Sequence, residues 1–129
     1  MKFSLRARVA LATASIMLAV PTAGQAAPHH HHKPVPMIVQ VANLHHWDAA
    51  QVVDWRGVIW IEDRSWSLTA QNGSCYGIGQ LIGGPAGYYR YGGSPWSLRG
   101  QLIGMANYIE GRYGAPQEAL QHEYDYGWY

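Results

Sequence analysis

Cysteine is all but missing from this chain. Cys75 stands alone, so no disulfide can close within it, and a domain of about a hundred residues must stand on its apolar core. Phenylalanine is as scarce, but six Trp and nine Tyr supply large buried areas in its place. Charge is sparse and shows no basic patch, which argues against nucleic acid as a partner. Past residue 20 no apolar run approaches the length needed to span a bilayer. There are no internal repeats, and no alternating pattern is long enough to announce a β domain.

What is present begins with an export signal. Lys2, Arg6 and Arg8 form a positive segment, Val9 to Val20 an apolar one, and Pro21 breaks it. Gly24 and Ala26 then stand at −3 and −1 of a cleavage site, so residues 1–26 read as a secretory signal peptide. Its removal leaves six basic against eight acidic residues, formally −2, on a chain expected to be exported, soluble, not inserted in the membrane, and monomeric. Residues 27–37, proline-rich and without periodicity, read as a linker to a domain over 38–129. The tract His29 to His32 has imidazoles that suit a divalent ion, but its composition equally fits a solvated low-complexity or tag-like segment. Pro28 lacks the amide N–H that an amino-terminal copper site must deprotonate. No metal site and no cofactor is assigned.

The remainder reads as helices joined by long loops. Residues 38–44 are a short lead-in, extended or helical. A helix from about Asp48 to Asp63 follows from the spacing of Val52, Trp55, Ile59 and Trp60, with Gly57 in its middle as a point of close packing. Residues 64–75 read as loop, 76–82 as the start of a second helix, and 83–95 as a Gly- and Tyr-rich loop over a cleft. Ser94 or Ser97 can cap a helix ending at Tyr113, where Gly114 and Pro116 supply a stop. A last short helix spans Pro116 to about Tyr124. The fold class is mainly α.

The chemistry concentrates between Trp60 and Gln80. A helix runs into two adjacent acids, Glu62 and Asp63, followed by a loop with Trp66 and a turn closed by Gly77, Gly79 and Gln80. A carboxyl group at the end of a packed helix, facing a Gly-rich turn and flanked by aromatics, suits protonation of a glycosidic oxygen. Cys75 reads as a packed thiol rather than a nucleophile, because no Cys/His/Asn set can be assembled around it.

Three strings in order resemble the secreted lysozyme-like lytic transglycosylases. The first, Asp63-Arg64-Ser65-Trp66-Ser67-Leu68-Thr69-Ala70-Gln71-Asn72, is similar to the family's E-S-x-W-N-P-x-A-x-N. The second is Tyr76-Gly77-Ile78-Gly79-Gln80, and the third runs from Gln101 through Tyr108 and Arg112-Tyr113-Gly114-Ala115-Pro116 to Gly127-Trp128-Tyr129. The similarity covers about residues 48–129. It implies a small lysozyme-like domain that cleaves peptidoglycan, the N-acetylmuramic acid–N-acetylglucosamine β-1,4 bond, with one carboxyl as acid and base and no cofactor. It implies substrate contacts from Gln80, Tyr76, Tyr108 and Trp66. The sequence departs from the pattern in three places. Asp63 stands where the family has Glu, Ser67-Leu68 replaces Asn-Pro, and Gln117 stands where related chains often carry a second Cys. Motif register therefore favours Asp63 as the acid, whereas helical geometry puts Glu62 at the edge of the apolar stripe, where a cleft acid belongs. Both stay candidates, with Glu62 preferred. A wall-binding module that kept the fold and lost catalysis is the alternative.

Overall fold

Two helices with well-made starts frame the domain. The computed structural model describes residues 35–129; the signal peptide and the His29–His32 tract lie outside the described residues. Helix α1 covers Met37–Leu44, so the undecided lead-in is helical and takes over the last residue assigned to the linker. Helix α2 covers Ala49–Glu62. Its start is a capping box: Asp48 Oδ1 accepts from the Gln51 amide at 2.9 Å and Gln51 Oε1 accepts from the Asp48 amide at 2.9 Å. Val52, Trp55, Val58 and Ile59 point into the core, but Trp60 is 56% exposed, with Arg64 over its ring at 5.7 Å. Trp60 therefore lies off the buried stripe on which its spacing had put it.

The segment after α2 differs most from the sequence reading. Residues 71–82 make a three-stranded antiparallel sheet of two-residue strands, β1 (Gln71–Asn72), β2 (Cys75–Tyr76) and β3 (Leu81–Ile82), paired β1–β2–β3. No helix begins at Tyr76, because Gly77 (φ 71) and Gln80 (φ 45) take left-handed backbone that stops one. The Gly- and Tyr-rich stretch is not all loop either, since it holds a short helix, α3 (Pro85–Arg90).

Helix α4 spans Leu98–Tyr113, its Ser97 hydroxyl accepting from the Gly100 amide at 3.0 Å, and it stops at Gly114 (φ 83). Helix α5 spans Pro116–Tyr126, with Pro116 in its first turn and Gly127 left-handed at its end. The domain is mainly α. Helix α2 packs along α5, α1 and α3 against α4, and α4 against α5. Gly57 sits in the α2–α5 seam: a Cβ there would lie 3.2 Å from both Leu120 methyls, which is the close approach its position suggested. The core gathers Val41, Trp55, Ile59, Tyr88, Leu102 and Met105, all fully buried. Leu- or Trp-sized groups in such a core are each worth about 2–5 kcal/mol against truncation to Ala, enough to hold a domain without disulfides. No helix of the described residues is long and apolar enough to cross a membrane.

Candidate active site

Glu62 is the last residue of α2, half-buried, and it lies where two cavities meet. The larger, about 490 Å³, is lined on one side by Arg90, Tyr91, Tyr108, Arg112, Trp128 and Tyr129. The smaller, about 360 Å³, is polar, lined by Ala70, Gln71, Asn72 and Glu123. Glu62, Cys75, Gln80 and Gly127 belong to both. A carboxyl at the junction of two cavities stands where a bond between two bound groups would cross.

The Gly-rich turn ends in Gln80, which lines both cavities, and a buried amide holds it. Gln101, inaccessible to solvent, accepts from the Ile78 amide at 2.9 Å and donates to the carbonyls of Leu68 and Pro95 at 2.7 Å each. The Tyr88 hydroxyl accepts from the Gly79 amide at 3.1 Å and donates to the Tyr76 carbonyl at 2.7 Å, while the Tyr129 hydroxyl donates to the Gly79 carbonyl. These side chains crowd the turn so closely that a Cβ on Gly77 would sit 2.2 Å from Gln101 Oε1. Glycine is required there by space as well as by φ. Gln80 closes the turn, its Nε2 donating to the Gly77 carbonyl at 2.8 Å and the Ala70 carbonyl at 3.2 Å.

The electrostatics of Glu62 follow from its surroundings. Burial, the charge of Glu123 and a hydrogen bond with the Glu123 side chain raise its pKa from 4.5 to about 8. Glu123, on α5, is only 5% exposed, and burial pushes its pKa up as well, against the opposing pull of its hydrogen bond with Glu62 and of His122. Its Oε2 is buried with no hydrogen-bond donor among the described residues, and both carboxyls border the smaller cavity.

Asp63 has a different environment. It caps α2 and turns the chain: Oδ1 accepts from the Ser65 amide at 3.0 Å and hydroxyl at 2.6 Å, and Oδ2 from the Ser67 amide at 2.6 Å. It lines neither of the two cavities.

Of the other residues singled out in the sequence, Gln80 and Tyr108 share the larger cavity with Glu62. The Tyr108 hydroxyl donates to the Tyr129 carbonyl at 2.9 Å, and burial lifts its pKa to about 12. Tyr76, 8% exposed, is a core residue on β2, and Trp66 (φ 54) packs partly buried against the core; neither lines these cavities. Glu123, Arg90 and Arg112 were not singled out. The signal for Glu123 was available: with Pro116 and Ala119 it falls on the buried face of α5, a position where an acid is unexpected. The Arg112 guanidinium stacks on Trp128 at 4.9 Å and lies 5.8 Å from the Tyr108 ring. Among the described residues no three His, Cys, Asp or Glu side chains come together as a metal site. Compared with family models, curated proteins and solved structures, the chain matches none.

Proposed function

We propose that this protein is an exported peptidoglycan lytic transglycosylase, acting as a monomer on the β-1,4 bond between N-acetylmuramic acid and N-acetylglucosamine. One observation carries the reading: Glu62, a half-buried carboxyl whose surroundings raise its pKa, lines both cavities where they meet. In this reading Glu62 gives its proton to the glycosidic oxygen as the bond to C1 breaks. It then takes a proton from the muramoyl C6 hydroxyl as that oxygen closes on C1. The sugar supplies the nucleophile and its N-acetyl group can assist, so no second catalytic carboxylate and no cofactor is required. Arg90 and Arg112, on the side of the larger cavity, suit the carboxylates of a peptide stem, and the partly exposed Trp128 lines the same cavity. Gln80 and Tyr108 line the same space and serve as substrate contacts. Asp63 holds the loop and takes no part in proton transfer.

The test is mass spectrometry of the products after incubation with purified peptidoglycan. Anhydromuropeptides, about 18 Da lighter than hydrolytic products by one water, support the proposal; reducing ends would make the protein a lysozyme. A wall-binding module is the second reading, favoured by one observation: the acid in motif register, Asp63, is engaged by three loop donors. Retention on sacculi with no soluble product would establish it.

A further inference from the structure

A single acid that must surrender a proton and then recover one works best if something opposes its charged state. Glu62 ends α2, and across the seam α5 brings up Glu123, held at that spacing by the contact of Gly57 with Leu120. Glu123 is nearly inaccessible yet borders the smaller cavity, and among the described residues its Oε2 has no N–H or hydroxyl donor. Leaving an acid on the buried face of a helix costs free energy unless a partner is provided, and the partner here is Glu62. The other titratable and charged groups around the pair are His122 on α5, Tyr108, Arg112 and Tyr113 on α4, Tyr88 and Arg90 on α3, Cys75 on β2, and Tyr129. The His122 Nδ1 is hydrogen-bonded with the Trp128 carbonyl at 2.7 Å, and no Lys or Arg forms an ion pair with either carboxyl among the described residues.

We propose that Glu123 is the positioning residue of this site: its carboxylate accepts a hydrogen bond from the protonated Glu62, aiming the donor, and its charge drives Glu62 to recover a proton after giving one away. The proposal rests on Glu62 as the acid, but the contact itself needs no substrate. The cycle balances without a further reactant. The Glu62 proton goes to the glycosidic oxygen, which leaves from C1 as an alcohol with the bonding pair. The C6 oxygen bonds to C1 and its proton passes to Glu62. Glu123 neither gains nor loses a proton. Between the two transfers both carboxylates are charged with no Lys or Arg ion-paired to either among the described residues, so Glu62 is then a stronger base than a solvated carboxylate. This arrangement lets one residue serve both steps near neutral pH.

The experiment is a carboxyl ¹³C titration of the full chain labelled at glutamate. The sequence has four glutamates, so four side-chain signals are read, and the one lost in Glu62→Gln is assigned to Glu62. In the unaltered protein that signal titrates near 8. In Glu123→Gln, nearly isosteric and uncharged, it titrates lower by about one pH unit or more, since one of the causes of the shift is gone. The alkaline limb of the cleavage rate moves down with it, and Glu123→Asp, which keeps the charge, restores part of both. An unmoved Glu62 titration in Glu123→Gln with native amide shifts overturns the proposal. Where Gln is not tolerated, Glu123→Ala reads the same quantity with the same two outcomes. If the unaltered protein cleaves no peptidoglycan, the enzymic reading falls, while the titration still decides whether the carboxyls are paired.

Discussion

The seam between α2 and α5 and the segment from Asp63 to Ile82 meet at one peptide bond and handle polar groups in opposite ways. In the seam, among the described residues, no cation is ion-paired to Glu62 or Glu123 and no N–H or hydroxyl reaches Glu123 Oε2, and burial raises the pKa of both. In the loop and sheet, polar groups are paired: Asp63 accepts from Ser65 and Ser67, the Ile78 and Gly79 amides donate to Gln101 and Tyr88, and the Gly77 carbonyl accepts from Gln80. Two adjacent acids thus have separate fates, one kept short of partners and one committed to holding the chain. The lesson is that a reactive carboxyl is made by what is withheld from it, and that the wall facing it must be rigid for its position to count.

Four changes break or sharpen this contrast. The largest effect is expected in the loop. Gly77→Ala forces a Cβ to within 2.2 Å of Gln101 Oε1 and 2.6 Å of the Tyr88 hydroxyl at φ 71, and should lower the unfolding free energy by about 3 kcal/mol or more in urea denaturation. Next comes the seam's pH dependence. Because the folded pKa of Glu62 lies above its ordinary 4.5, the folded chain binds a proton that the unfolded chain releases between about 4.5 and about 8. The stability cost is therefore absent below 4.5 and grows as pH rises to 8. Denaturation across that range should show on the order of 3 kcal/mol lost, once partial exposure is allowed for, and Glu62→Gln should flatten that loss. Third, Asp63→Ala leaves the Ser65 and Ser67 amides without their acceptor and should cost about 1–3 kcal/mol in thermal unfolding, with cleavage retained below the transition. The smallest effect is Arg112→Ala, which should weaken turnover of peptide-bearing glycan by about threefold and leave peptide-stripped glycan unaffected, as surface pairs are worth at most about 1 kcal/mol.

Much of the helical frame was legible. Asp48 suits the first turn of α2, Gly114 and Pro116 spell a stop, and Gly57 marks a close approach; each is a local signal with a local cause, whereas the Asp48–Gln51 capping box emerged only in the fold. The two-residue strands were not, because periodicity needs more residues than they have, and their pairing is set by left-handed turns at Gly77 and Gln80 rather than by alternation. Trp60 lay at apolar spacing yet faces solvent, since a stripe predicted from α2 alone ignores where α5 ends its contact. In the site, Glu62, preferred on helical geometry, lines one cavity with Gln80 and Tyr108, whereas Asp63, the acid in motif register, lines neither and Tyr76 and Trp66 are drawn into or against the core. Glu123 went unread because its partner lies 61 residues earlier, and only tertiary packing brings the two together.

The most direct test of the central claim sets two single variants side by side on purified peptidoglycan, following soluble muropeptide release by mass spectrometry. Glu62→Gln should cut the rate by about 10²–10⁴-fold while the protein stays folded, and Asp63→Asn should remain within about tenfold of the unaltered chain. The reverse pattern, with Asp63→Asn inactive and Glu62→Gln still cleaving, would contradict the account.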